Sequence, residues 1–318
     1  MNLFYVATPT STYPDYVVDS NLSLQESPIL LPRIYDGYSF EGSIIFTGDY
    51  VEGNISLYLG TANPLTCSAN PIPIYESTSL KDSYNEVHVM SITNGFSNHL
   101  YKVSKNGVFS LIDSIPYAKI AYGNGIYCYV YPSGTNELTV CKSIDGDSWE
   151  TTTTITTTKD ARYFDICFGN NSFIICAGEI YKSEDCTTWT EVYTEVYTKE
   201  DDPRKQIIHT SFGFLILTDH YLLKSFDGIT WNVLSLPPIS IPTPHDRYWS
   251  FLVVNEDTIC LTFENHDILS ELLFSLDGGS SWGNSLIINV YPLGIFALSE
   301  DKTGNKFWTD FKDTTEYL

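Results

Sequence analysis

One pattern recurs along this chain and limits what it can fold into. Four segments align: Ser143-Ile144-Asp145-Gly146-Asp147-Ser148-Trp149, Ser183-Glu184-Asp185-Cys186-Thr187-Thr188-Trp189, Ser225-Phe226-Asp227-Gly228-Ile229-Thr230-Trp231 and Ser275-Leu276-Asp277-Gly278-Gly279-Ser280-Ser281-Trp282. Each reads Ser-x-Asp, a tight turn, then Ser or Thr before Trp. A degenerate copy, Ser104-Lys105-Asn106-Gly107-Val108-Phe109, precedes them, and successive serines stand 39, 40, 42 and 50 residues apart. Self-similarity at this period marks stacked supersecondary units, none of which can bury its apolar face alone. Four of the six tryptophans fall inside the copies, so composition alone does not produce the match.

Each position has a physical task. An Asp opening a turn accepts backbone N–H bonds and stands in for a turn carbonyl. The Gly beside it supplies the positive φ that a tight turn requires. Ser and Thr satisfy polar groups of the turn, and Trp opens the next strand and covers apolar surface. The flanks read as four short strands per copy, as in ARYFDICFG, SFIICAG, EIYKS and TWTEVYT. Parallel sets surround the first, third and fourth copies, and Lys142, Lys182 and Lys224 each precede the serine, so the third-strand register repeats as well. The threonine run from Thr151 to Thr158, broken by Ile155, suits a solvated outer strand.

Together these residues resemble the Asp-box, or sialidase-type, repeat found between the third and fourth strands of β-propeller blades. The resemblance covers about residues 86–318. It implies an all-β fold: a propeller of five or six four-stranded blades over residues 81–318, with Asp-box turns at the four aligned segments. In that family the boxes are structural and lie away from the active site. Residues 86–113 read as an irregular blade short of one strand, and closure is expected from a C-terminal strand pairing with an N-terminal one. Residues 1–80 lack the period but hold the strand-like GSIIFTGDY and GNISLYLGT. They form an N-terminal β-rich segment, either a separate small unit or one irregular blade.

Charge narrows the partners. Thirty-nine acidic residues against 17 basic ones give a net charge of −22. Nucleic acid and anionic membrane both reward Lys and Arg, so neither is expected as a partner. At 43% hydrophobic and 14% aromatic, the chain has the material for a core. The start, MNLFYVATPTSTYP, has no basic segment of the signal-peptide kind, and no window approaches the roughly 18 apolar residues of a membrane span. Seven cysteines (67, 128, 141, 167, 176, 186 and 260) show no CxxC and are expected as buried free thiols of a reducing compartment.

The arginines are the most informative candidates for a site. Arg162, Arg204 and Arg247 are 42 and 43 residues apart, each just before a first strand, with Asp160, Asp202 and Asp246 one or two residues earlier. Three blades therefore carry an Arg to the rim formed by the connections between blades. One reading is an anion-binding cluster, because guanidinium forks match carboxylates; the other is that each Arg pairs with its own Asp and fastens the connection. Sialidases resemble the first reading, holding the sialic acid carboxylate with three arginines on this face. Arg33, in LPRIYDG, is similar to the arginine motif near the start of sialidase propellers, although that motif continues with Pro where this chain has Tyr35. Tyr163, Tyr248 and Trp249 lie beside the same connections, where they could stack on sugars or pack between blades.

Other chemistry is thinly represented. The six histidines form no HxH or HExxH, no GxSxG or Walker A is present, and Gly123-Asn124-Gly125 reads as a hairpin turn. No metal site and no cofactor are expected, and no catalytic set can be named. Three function classes follow. The first is a non-enzymatic virion-associated propeller, a phage tail or capsid accessory whose partners are other virion proteins or surface glycans. YGNG-x-Y followed by KS-x-DG-x-[ST]W resembles the repeats of phage virion proteins in style. Such a protein belongs in the virion, or in the host cytoplasm during assembly, and homo-oligomerisation is compatible with it. The second is a sialidase-type glycoside hydrolase, needing two carboxylates or a Tyr/Glu pair about the substrate. The third is an intracellular assembly factor of propeller type. The first is preferred, because fold does not imply catalysis.

Overall fold

The computed structural model describes side chains for residues 118–193, 206–218, 221–234, 236–238, 258–263, 271–283 and 285–287, and further backbone strands between Leu3 and Leu298. All described strand pairs are antiparallel, and five of the sheets have four strands each. Four of those are up-and-down meanders spanning 119–156, 165–193, 206–234 and 248–288. In the fifth, Leu3–Ala7 lies between Tyr16–Asp19 and the late strand Gly294–Leu298, with Leu3 opposite Leu298. The stretch 87–114 forms a three-stranded sheet, and Ile34–Phe40 begins a five-stranded one.

The chain divides into two compact units. The first combines Met1–Ile74 with Pro237–Leu318, and the second is Tyr75–Leu236. The strand Ser172–Cys176 is buried at every position, as a short continuous apolar run requires when both faces are covered. Its side chains alternate between two cores. Phe173 and Ile175 join Val130, Leu138 and Val140 of the preceding sheet, whereas Ile174 and Cys176 join Ile207, Phe214 and Leu223 of the following one. The outer strand Glu150–Thr156 is mostly exposed, its one buried residue being Ile155, as a solvated threonine strand should be. Among the described cysteines, 128, 141, 176, 186 and 260 are buried, 167 is partly buried, and none is in a disulfide.

The hairpins between first and second strands have the geometry that their residues ask for. Asn124 and Gly125 both have positive φ (52° and 74°), as do Asn170 and Asn171 (45° and 58°). That is the combination a two-residue hairpin with matching twist needs, and Asn and Gly tolerate it best. Gly213 closes the next hairpin at φ 103°, and a Cβ there would overlap the Ser225 carbonyl oxygen. Backbone cannot move aside as a side-chain tip can. Gly213→Ala is therefore expected to cost about 2 kcal/mol or more, from the dihedral strain and the overlap together. Urea unfolding measures it directly. A midpoint equal to that of the parent would contradict this turn.

Candidate functional site

The four Ser-x-Asp segments fold alike. In the first, the Ser143 hydroxyl donates to Asp145 Oδ1 at 2.9 Å and accepts from the Gly146 amide at 2.8 Å. Asp145 Oδ1 also accepts from the amides of Asp147 and Ser148 at 2.9 and 2.8 Å. Asp185 and Asp227 take the same bonds from Thr187 and Thr188 and from Ile229 and Thr230. In the longer fourth copy, Asp277 accepts from the Ser281 amide and hydroxyl. Gly146, Gly228 and Gly278 hold φ near 70°, and Cys186, in the same place, reaches 59° with its side chain buried. Trp149, Trp189 and Trp231 then enter the cores beside their turns.

The turns also tie one sheet to the next. Lys142 Nζ donates to Thr187 Oγ1 at 3.0 Å, and Lys182 Nζ to the Asp227 carbonyl at 2.8 Å. The repeated lysine thus reaches the turn of the following sheet in these two copies. Thr152 Oγ1 donates to the Cys186 carbonyl at 2.6 Å, and the Asn170 side-chain amide to the Phe226 carbonyl at 2.6 Å. Glycines make the remaining fit: a Cβ on Gly123 would overlap the Phe168 ring, and one on Gly169 the His209 ring.

These carboxylates titrate unusually low. The Thr230 and Ile229 amides bring Asp227 from 3.8 to about 2. At Asp277 desolvation pushes upward, but the Ser281 hydroxyl and amide outweigh it, and the group again lies at about 2. Asp145 is held lower by the Ser148 and Asp147 amides, and Asp185 is lowered by those of Thr188 and Thr187. A carboxyl depressed on folding contributes stability that is complete above its unfolded value and disappears as pH falls through its folded one. The thermal midpoint is accordingly expected to drop between about pH 4 and pH 2 as these turns protonate. Asp227→Asn should show a weaker acid dependence in that window; an unchanged one would remove the turn carboxylates as its source.

The rim singled out by the arginines is described at one connection, residues 157–164. It runs between two turns at the opposite end of the strands from the Ser-x-Asp segments. On one side the Thr157 and Ala161 amides donate to Asn136 and Thr135 carbonyls at 2.9 and 2.7 Å. On the other the Thr158 amide donates to the carboxylate of Glu179, a residue only 2% exposed. Arg162 stands out from this bed, but its guanidinium closes on Asp160, with Nη2 at 2.6 Å from Oδ2 and Nε at 3.0 and 3.1 Å from the two oxygens. The Arg162 amide caps the same carboxylate at 3.0 Å. Tyr163 lies beneath the guanidinium at 5.8 Å and is exposed. Asp202, Arg204, Asp246 and Arg247 lie outside the described residues. Tyr248 and Trp249 begin the strand Tyr248–Asn255, their side chains likewise outside what is described.

Two polar residues that the sequence reading passed over have defining roles here. Asp165, 1% exposed, accepts from its neighbour Ile166 at 2.8 Å and, across to the next first strand, from the Ile207 amide at 3.0 Å. Tyr181 places its hydroxyl 3.0 Å from the Thr156 carbonyl and 3.2 Å from Glu179 Oε2. A Tyr/Glu pair is what a sialidase-type site would need, but this one is closed in, with Tyr181 only 7% exposed. Burial first, and the Glu179 charge second, push the Tyr181 hydroxyl well above the ordinary tyrosine range. The available signal was an acid inside an otherwise apolar stretch, FDICFG for Asp165 and AGEIY for Glu179, where burial without a partner is costly. Among the described residues no group of three or more His, Cys, Asp or Glu is placed to hold a metal ion. No described helix is long and apolar enough to cross a membrane.

A family model described as the DUF6242 beta propeller domain matches residues 117–200, the stretch containing the connection and the first two tied sheets. The chain folds as a β-propeller. Solved structures of the same fold extend along nearly its whole length. A putative 6-phosphogluconolactonase from Bacteroides uniformis superposes with a TM-score of 0.63 at 8% identity, over 93% of this chain and 99% of that one. The periplasmic gluconolactonase PpgL of Pseudomonas aeruginosa gives 0.62 at 9% identity, over 93% and 98%. A protein from Lactobacillus plantarum gives 0.60 at 12%, over 93% and 99%. No curated protein matches the sequence. At such identities the propeller shares an architecture with these structures, and its chemistry has to be read from its own residues.

Proposed function

We propose that this propeller is a non-enzymatic assembly component of Asp-box type, a virion-associated tail or capsid accessory that works by binding partner proteins. The observation that carries the reading is the Arg162–Asp160 pair. A guanidinium that already holds a carboxylate through both Nε and Nη2 has that edge filled and its charge offset by its own chain, where an anion-binding site would leave the edge open to ligand. The Tyr181–Glu179 pair supports the same conclusion, since the tyrosine is buried and its hydroxyl is bonded within the chain to Thr156 and Glu179. The Asp-box assignment is supported by the Ser-Asp-amide bonding common to the four turns. The virion context rests on the style of the repeats, and host cytoplasm is the matching place of assembly.

The reading is tested by a glycan array together with assays on a fluorogenic sialoside and on an aldonolactone, the class named for two of the solved structures. Neither turnover nor glycan retention is expected. Sialoside turnover that disappears in Arg162→Ala would replace it with the glycoside hydrolase reading, and lactone turnover would replace it with a lactonase. Glycan binding without turnover that is lost in Arg162→Ala would move the function from protein assembly to receptor binding.

A further inference from the structure

The ends of the strands opposite the Arg162 connection carry large exposed apolar side chains. In each Ser-x-Asp segment of Tyr75–Leu236 the residue between Ser and Asp points outward. Ile144 is 80% exposed and Phe226 is 70% exposed. Tyr122, Phe212 and Ile229, on the hairpins and turns at the same end, are exposed too. Consecutive antiparallel strands put first-to-second and third-to-fourth turns at one end, so these residues share a face. Bonds from Lys142 to Thr187, Lys182 to Asp227 and Asn170 to Phe226 join three successive turns into one strip. Single exposed apolar residues are ordinary; here they recur on one face of three bonded turns, the arrangement of an extended interaction surface.

The charge of the strip identifies its occupant. Asp145, Asp147, Glu184, Asp185 and Asp227 are exposed on the same turns. The strip's lysines are engaged within it: Lys142 and Lys182 tie turns together, and Lys224 lies over the Phe212 ring at 5.8 Å. A second copy of this chain, at −22, would bring carboxylate against carboxylate. We infer that this face docks a partner protein through a cationic amphipathic segment, its apolar side chains seated on Ile144 and Phe226 and its Lys or Arg residues meeting the turn carboxylates. The inference rests on the assembly reading and names the partner's chemistry.

A labelled dodecapeptide of alternating lysine and leucine serves as probe, with lysine–serine and glutamate–leucine peptides beside it, and anisotropy is read on the full chain at low and high salt. The lysine–leucine peptide is expected to bind. The other two should bind at least about tenfold more weakly, and salt should weaken the first. Ile144→Ser/Phe226→Ser should lose about tenfold in affinity, with an unchanged thermal midpoint because both side chains are exposed. Tyr163→Ser, at the opposite end of the strands, should bind as the parent does. Equal affinity for the lysine–serine peptide would reduce the effect to charge and overturn the inference. So would an unaffected double variant, or self-association that the double variant abolishes. Turnover of a sialoside or lactone would sink the assembly reading without altering any of these binding ratios, so the two failures are distinguishable.

Discussion

Phe214→Ala is expected to lose about 3–5 kcal/mol of stability, the largest loss of any single side-chain truncation proposed for this propeller. Phe214 is fully buried in the core between the 165–193 and 206–234 sheets, with Ile174, Ile207, Leu223 and Trp231. Its ring centroid is 4.7 Å from that of His209 and 6.4 Å from that of Trp231. It also lies against Gly228 of the Ser225–Trp231 turn. Truncation removes the transfer free energy of the ring and leaves a cavity among side chains fixed by two sheets, which limits collapse. Chemical denaturation with tryptophan fluorescence measures it, because Trp231 lines the cavity. A loss below about 1 kcal/mol would mean that the inter-sheet core is much looser than described.

Asp165→Ala should cost about 3 kcal/mol, with Asp165→Asn costing clearly less. The carboxylate accepts one amide from Ile166 and one from Ile207 on the neighbouring first strand. Alanine leaves both buried donors without that acceptor, each at about 1–3 kcal/mol. Asparagine keeps one carbonyl oxygen and can serve one of the two. Amide hydrogen exchange supplies the residue-level check: Ile207 should exchange faster in Asp165→Ala than in the parent, ahead of amides in the Glu150–Thr156 strand. Equal protection at Ile207 would show that the link between first strands is carried elsewhere.

The aligned Ser-x-Asp copies make the four-stranded build legible in the sequence, because the turn residues and the strands they end are local. Asp145 and Gly146 define a turn by their own side chain and dihedrals. The apolar runs FIIC and FLIL announce strands covered on both faces. Partnerships between sheets are not local, and there the sequence is silent. Nothing in Lys142 points to Thr187, and nothing in Asp165 points to Ile207. Those bonds depend on the rotation between successive sheets. The spacing of the arginines was visible, and both outcomes for Arg162 were open at that stage. Its closure on Asp160 follows from a short-range geometry, two residues in one turn, that competes with any ligand. Glu179 and Tyr181 were hidden among many acids and tyrosines until burial separated them from the rest.

The central claim is that the residues placed to do chemistry here are occupied in holding the propeller together. Its most direct test is hydrolysis of a fluorogenic sialoside by the parent and by Tyr181→Phe, followed across the neutral and mildly acidic range. No protein-dependent turnover is expected in either, and a lower thermal midpoint is expected for Tyr181→Phe, which loses the hydroxyl bonded to the Thr156 carbonyl and Glu179. Turnover by the parent that Tyr181→Phe abolishes while keeping its stability would contradict it.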